Sequence, residues 1–231
     1  MRRFYKSVSV RPSGSGYEVM LDTKPLRTPA RAPLVLPTQS LAEAIAAEWA
    51  EQTDEIRPAV MHRTQLAVTA TDRVAPNRES VIDEVAAYAG TDLLCYRAEE
   101  PLSLAERQHA VWQPYLDWCA VTFDAPLLVT RGIIHKAQPE VALAALRRAV
   151  AAEDDLRLTA LHTATAALGS LVLGLAMIHG RTGPEEAFAA SVLDEDFQIE
   201  RWGEDAEATR RRAAILAELV AVADFVRRLS G

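Results

Sequence analysis

The hydrophobic period of this 231-residue chain changes once, and that change constrains the fold more than any other feature. In the first forty residues Ser7-Val8-Ser9-Val10 and Tyr17-Glu18-Val19-Met20-Leu21-Asp22 alternate apolar and polar, the repeat of strands with one covered face. Pro12-Ser13-Gly14-Ser15-Gly16 separates them, Lys24-Pro25 reads as a turn, and Leu34-Val35-Leu36 predicts a third strand closed by Pro37. From residue 40 the repeat is helical: Ser40-Leu41-Ala42-Glu43 fits a capping box, and Leu41, Ile45, Trp49 and Gln52 follow at helical spacing before Pro58. The pattern predicts an α+β chain. Residues 1–73 form a small antiparallel β-rich domain with a covering helix, and residues 74–231 an all-α bundle.

Residues 57–73 read as a connector. Helices are expected near 77–89, from Ser103-Leu104-Ala105-Glu106 (a second capping-box match) to about Val121, and near 138–152, 156–179, 184–202 and 205–229. Leu127-Leu128-Val129-Thr130 reads as extended, and Gly180 and Gly203 stand where helices end in a left-handed residue. Leu158 to Ile178 lacks Asp, Glu, Lys and Arg over a bilayer's length. Thr159, His162, Thr163, Thr165 and Ser170 interrupt it, and its dense part, Leu168–Ile178, is too short to cross. A buried helix is expected there, with no membrane insertion.

Net charge is −7, which argues against a nucleic-acid binder. Its distribution is bipolar. Residues 1–31 carry Arg2, Arg3, Lys6, Arg11, Lys24, Arg27 and Arg31 against Glu18 and Asp22, whereas residues 183–208 carry nine acids against Arg201 alone. Such asymmetry suits docking to a protein surface, and a solvated acidic face is the plainer alternative. Cys95 and Cys119 have neither a CxxC nor a metal-like spacing and read as buried thiols of a reducing compartment. The opening Met1-Arg2-Arg3-Phe4-Tyr5-Lys6 has no apolar signal core, so a cytoplasmic location is expected.

A catalytic kit is hard to find. There is no GxGxxG, P-loop, GxSxG or HExxH, and His62, His109, His135, His162 and His179 are scattered. His162, on an apolar helix, reads as a hydrogen-bonded core residue. The informative stretch is Ser191–Arg212. Projected as one helix, Phe188, Val192, Ile199 and Trp202 fall on one stripe with Glu195 in its middle, core-facing at Phe188, Val192 and Ile199, while Asp194 and Arg201 lie off it. Trp202-Gly203 ends that helix, and Glu204-Asp205-Ala206-Glu207 places acids where the next helix dipole favours them. A charge on an apolar face needs a partner or an exposed groove, which suits a protein-binding edge.

These residues, taken in order, resemble a known family. The matching stretches are Arg3-Phe4-Tyr5-Lys6, Val19-x-Leu21-Asp22-x-Lys24-Pro25-Leu26-x-Thr28-Pro29, Glu48-Trp49-x-x-Gln52 and Pro58-x-x-Met61-x-x-Thr64-x-Leu66-Ala67-x-Thr69-Ala70-x-Asp72. They continue with Thr91-Asp92-x-Leu94-Cys95-Tyr96-Arg97, Leu168-Gly169-Ser170 and Gln198-x-x-x-Trp202-Gly203. Over nearly its whole length the chain resembles the assembly chaperones of the soluble sector of ATP synthase, the family whose client is the α subunit. The resemblance implies a protein without cofactor, metal or reaction. It would act as a monomer that holds the unassembled α subunit and shields the surface that later meets the β subunit.

The family's functional acid falls at Asp194, where glutamate is commoner, and the adjacent Glu195 is the alternative. With them Gln198, Trp202, Glu204 and Glu207 are candidate client-binding residues, and Trp49 is expected to pack its helix on the sheet. Met61-His62 departs from the family's Met-Pro. The competing reading is a small-molecule enzyme whose site at the interdomain junction uses Arg63, Thr64, Thr69, Asp72 and Arg73.

Overall fold

The computed structural model describes residues 1–132, 134–203 and 205–230. It is α+β: an antiparallel sheet at the N-terminus followed by helices. Contacts divide the chain into two compact units, one of residues 1–78, 155–160 and 221–231, the other of residues 79–154 and 161–220.

In the first unit β1 (Val8–Ser13) pairs with β2 (Gly16–Leu21), and β2 with the two-residue β3 (Lys24–Pro25). The predicted turn at Lys24-Pro25 is therefore the third strand, and Asp22, at φ 55, takes the tight turn before it. Leu34–Leu36 forms no strand. Leu36 makes a single bridge to Tyr17, and its carbonyl lies so close to Gly16 that a β-carbon there would collide with it. The helix α1 (Gln39–Ala50) buries Leu41, Ala42, Ile45 and Trp49. Its cap is Thr38 rather than Ser40: the Thr38 hydroxyl accepts from Leu41 N at 3.2 Å and donates to Arg228 O at 2.6 Å.

The expected connector at 57–73 is instead helical, with a 3₁₀ turn at Pro58–Val60, α2 (His62–Thr69) and a π-helical turn at Ala70–Val74. Its Leu66, Ala67, Ala70 and Val74 are buried, so tertiary packing overrides the polar spacing that suggested a loop.

The second unit contains α3 (Arg78–Ala87) from Glu79 on, and α4 (Leu102–Phe123), which starts after Pro101 without a side-chain cap. The predicted capping box at Ser103 is therefore already inside the helix. Two-residue strands β4 (Tyr96–Arg97) and β5 (Thr130–Arg131) pair in parallel, and α5 (Glu140–Ala152) follows. The helix expected over 156–179 is two, α6 (Asp155–Leu168) and α7 (Leu171–Ile178). Gly169, at φ 64, makes the break and Ser170 caps α7 through Leu173 N at 3.0 Å.

The helix expected over 184–202 also breaks, at Val192, into α8 (Pro184–Ser191) and α9 (Leu193–Trp202), and α10 (Ala206–Leu229) closes the chain. Among the described residues no helix is long and apolar enough to cross a membrane.

Candidate functional site

The break at Val192 changes which face of α9 is buried. Leu193 and Phe197, one turn apart, go to the interior, and Arg201 lays its guanidinium 4.0 Å from the Phe197 ring. The core-facing reading of Phe188, Val192 and Ile199 holds in part. Phe188 is buried and Val192 and Ile199 are half-buried, but Trp202 is 77% exposed and Glu195 faces solvent. Glu195, Gln198 and Trp202 stand at i, i+3 and i+7, so they share one exposed face of α9.

The two candidate acids do different things. Asp194 is half-buried: its Oδ1 accepts from Gln108 Nε2 at 2.7 Å, and Gln108 Oε1 accepts from Ala98 N at 2.7 Å. Beside them Arg97, 5% exposed, lies 5.0 Å from the Trp112 ring. Burial lowers the Arg97 pKa, and the negative field of Asp194 acts against that. Asp194 is therefore tied to α4 through Gln108, with its field reaching a buried cation. Glu195 instead meets Arg211 and Arg212, each at 3.3 Å, and Asp196 pairs with Arg212 as well.

Neighbouring arginines temper the acidic run, since Arg107 also takes Glu200 at 2.7 Å. Glu207 is exposed and Asp205 caps α10 through Ala208 N at 3.0 Å; Glu204 lies outside the described residues. Sequence reasoning missed Gln108, though it was legible as the one polar member of α4's buried series Gln108, Trp112, Tyr115 and Cys119.

In the first unit the motif Glu48-Trp49-x-x-Gln52 forms a clasp. Glu48 Oε1 accepts from Arg63 N and Oε2 from Thr64 N, both at 2.8 Å, so this carboxylate supplies the cap that α2 lacks. Gln52 Oε1 accepts from Arg57 N at 2.8 Å, and the Tyr5 hydroxyl donates to Trp49 O at 2.7 Å. Trp49 is 9% exposed and packs 5.7 Å from the Tyr5 ring.

Of the five residues proposed for an enzyme site, Arg63 and Thr64 belong to this clasp. Arg63 further pairs with Asp224 at 2.6 Å, Asp72 accepts from Ala30 N at 3.1 Å, and Arg73 is exposed. Arg63, Thr64 and Asp72 thus make structural bonds, and Thr69 is half-buried.

Asp92 is fully buried in the second unit, accepting from Ser170 Oγ at 2.8 Å and Val172 N at 3.1 Å; burial raises its pKa against those bonds. Cys95 and Cys119 are buried and their thiols are pushed up to about 12 by that burial, which leaves them inert. His162, expected in the core, is half-buried beside Glu84 at 3.2 Å. Among the described residues no group of three His, Cys, Asp or Glu could hold a metal ion.

The same architecture recurs in solved chaperones. Atp12 from Paracoccus denitrificans matches with a TM-score of 0.94 at 44% identity, covering 99% of this chain and 98% of that one. An aspartate-to-lysine variant of the same Paracoccus protein matches at 43% identity, 99% and 97% coverage and TM-score 0.94. Atu1473 from Agrobacterium tumefaciens, a candidate chaperone, matches at 40% identity, 99% and 86% coverage and TM-score 0.94. The class is that of the chaperones.

The model of the ATP12 chaperone protein family matches residues 2–120. The chain belongs to that family, the ATP synthase assembly family its motifs resemble.

Proposed function

We propose that this protein binds the unassembled α subunit of the soluble sector of ATP synthase and covers the surface that later meets the β subunit. The observation that carries this reading is the match to Paracoccus Atp12 along 99% of the chain. The protein works as a monomer in the bacterial cytoplasm, by binding alone, with no bond made or broken. An orphaned subunit interface is an apolar patch prone to aggregate, and a transient cover for it needs a polar, releasable rim. The exposed face of α9, with Glu195, Gln198 and Trp202, and Glu207 beyond it, has that character. Asp194 acts from behind, fixing α9 through Gln108.

Co-purification tests the reading. The tagged protein, expressed with α subunit but without β subunit, is expected to retain α subunit on the resin. Folded protein that retains none overturns it.

A further inference from the structure

The first unit holds an open apolar pocket of about 720 Å³, inside the range of roughly 300–1,000 Å³ typical of ligand sites. Leu21, Leu26, Trp49, Ile56 and Met61 build its wall, all of them buried, so the pocket is preformed by the sheet, α1 and the turn before α2. At its edge Phe4 is 64% exposed and rests edge-on against Tyr5 at 5.3 Å, an aromatic ring left in water beside an apolar hollow.

The charge around this pocket runs against that of the whole chain, which is −7. Lys24 and Arg27 line it, and Arg3 lies 4.7 Å from the Tyr5 ring in its wall. Arg3 and Arg27 donate to backbone carbonyls, at Gln52 and Arg31, and none of the three cations has an ion-pair partner among the described residues. The lining acid Asp22 is engaged internally: its Oδ1 accepts from Lys6 N at 2.9 Å and Ser7 N at 2.8 Å. An apolar hollow beneath unpaired cations fits an apolar anchor with acids beside it.

We propose that this pocket receives a bulky apolar side chain from the client polypeptide, within a segment that carries acidic residues flanking that anchor. The proposal rests on the chaperone reading and adds to it a second contact, on the β-rich unit, of opposite charge to the face of α9. The anchor supplies affinity by leaving water, and the cations set its register and speed its arrival.

A photo-crosslinking amino acid placed at Phe4 in the full chain tests this with unassembled α subunit. The expected product is a crosslink to one α-subunit peptide containing a large apolar residue next to Asp or Glu. The K24E/R27E double variant, altered only at exposed positions, is expected to weaken capture several-fold, more so at low salt. Capture of α subunit with no such crosslink, or with undiminished affinity in the double variant, overturns the pocket while leaving the chaperone reading intact. Crosslinks to a second copy of this chain or to co-purifying lipid also overturn it. Failure to capture α subunit at all removes the chaperone reading, and the pocket proposal falls with it.

Discussion

Glu48 caps a helix to which it does not belong: its Oε2 accepts from both Thr64 N at 2.8 Å and Thr64 Oγ1 at 2.7 Å, while Oε1 takes Arg63 N. The carboxylate is 6% exposed and also lies 3.3 Å from the Arg63 guanidinium, so removing it strands two amides and part of a charge. Arg63 keeps Asp224 at 2.6 Å, so Glu48→Ala is expected to cost about 1–3 kcal/mol, the range for leaving buried donors unsatisfied. Urea unfolding measures it, and a loss below about 1 kcal/mol would show that water replaces the cap.

Asp224 gives the same unit a dependence on acid. Burial alone would raise its pKa, but hydrogen bonds from Arg228 at 2.8 Å and Arg63 at 2.6 Å outweigh that and hold it below the usual carboxylate value. A carboxylate depressed in the folded state contributes stability above its unfolded pKa of about 3.9, and loses it as pH falls through the lower folded value. Asp224→Asn is expected to be less stable than wild type at neutral pH, with the gap closing below about pH 4. Melting temperatures across pH check this, and a gap that stays constant contradicts it.

Gly174 in α7 lies against α6. A β-carbon there would meet Thr165 Oγ1 at 2.6 Å and Leu161 Cδ1 at 3.2 Å. Helix propensity alone favours Gly174→Ala by about 1 kcal/mol, but overpacking costs about 1–3 kcal/mol. Net destabilisation is the expected sign. Thr165 Oγ1 is buried without a hydrogen-bond partner, so adding Thr165→Ala should recover most of the loss. Additive losses in the double variant, seen by denaturant titration, would refute the close contact.

The thiols of Cys95 and Cys119, raised to about 12, are expected to resist a disulfide reagent at pH 8 until the second unit opens. Labelling rates should follow unfolding as denaturant is added. Labelling of native protein at the rate of a free thiol contradicts their burial.

The two neighbouring acids of α9 should separate stability from capture. Glu195→Lys loses the surface pairs with Arg211 and Arg212 and is expected to lower capture while costing only about 1–2 kcal/mol of stability. Trp202→Ala, at an exposed aromatic, should weaken capture by about 1–3 kcal/mol with the fold intact. Asp194→Lys breaks the bond to Gln108, makes the field on buried Arg97 repulsive, and should lower the melting temperature and capture together. Binding and thermal melts on the same samples decide it, and unchanged capture in all three variants removes this face from the account.

The helical part of the division was legible because burial imposes its period directly: Leu41, Ile45 and Trp49 repeat by turns, whereas in β2 Val19, Met20 and Leu21 are all buried and the alternation is lost. Breaks within apolar runs were harder to see. Ser170 leaves its helix because its hydroxyl serves both Leu173 N and Asp92, a partner 78 positions away. The connector failed for a similar reason, because the carboxylate that starts α2 sits on α1, beyond any local pattern. At the candidate site Asp194 and Glu195 were found as a pair. Their division of labour depends on Gln108, which lies far off in sequence and near only in space.

The central claim, a temporary cover for an orphaned subunit surface, is tested most directly by competition. Fluorescently labelled protein is titrated with unassembled α subunit, β subunit is then added, and anisotropy follows the label. The account predicts a one-to-one complex with free α subunit, release when β subunit arrives, and no binding to the assembled sector. A label that stays bound after β subunit is added, or binds the assembled sector equally well, contradicts it.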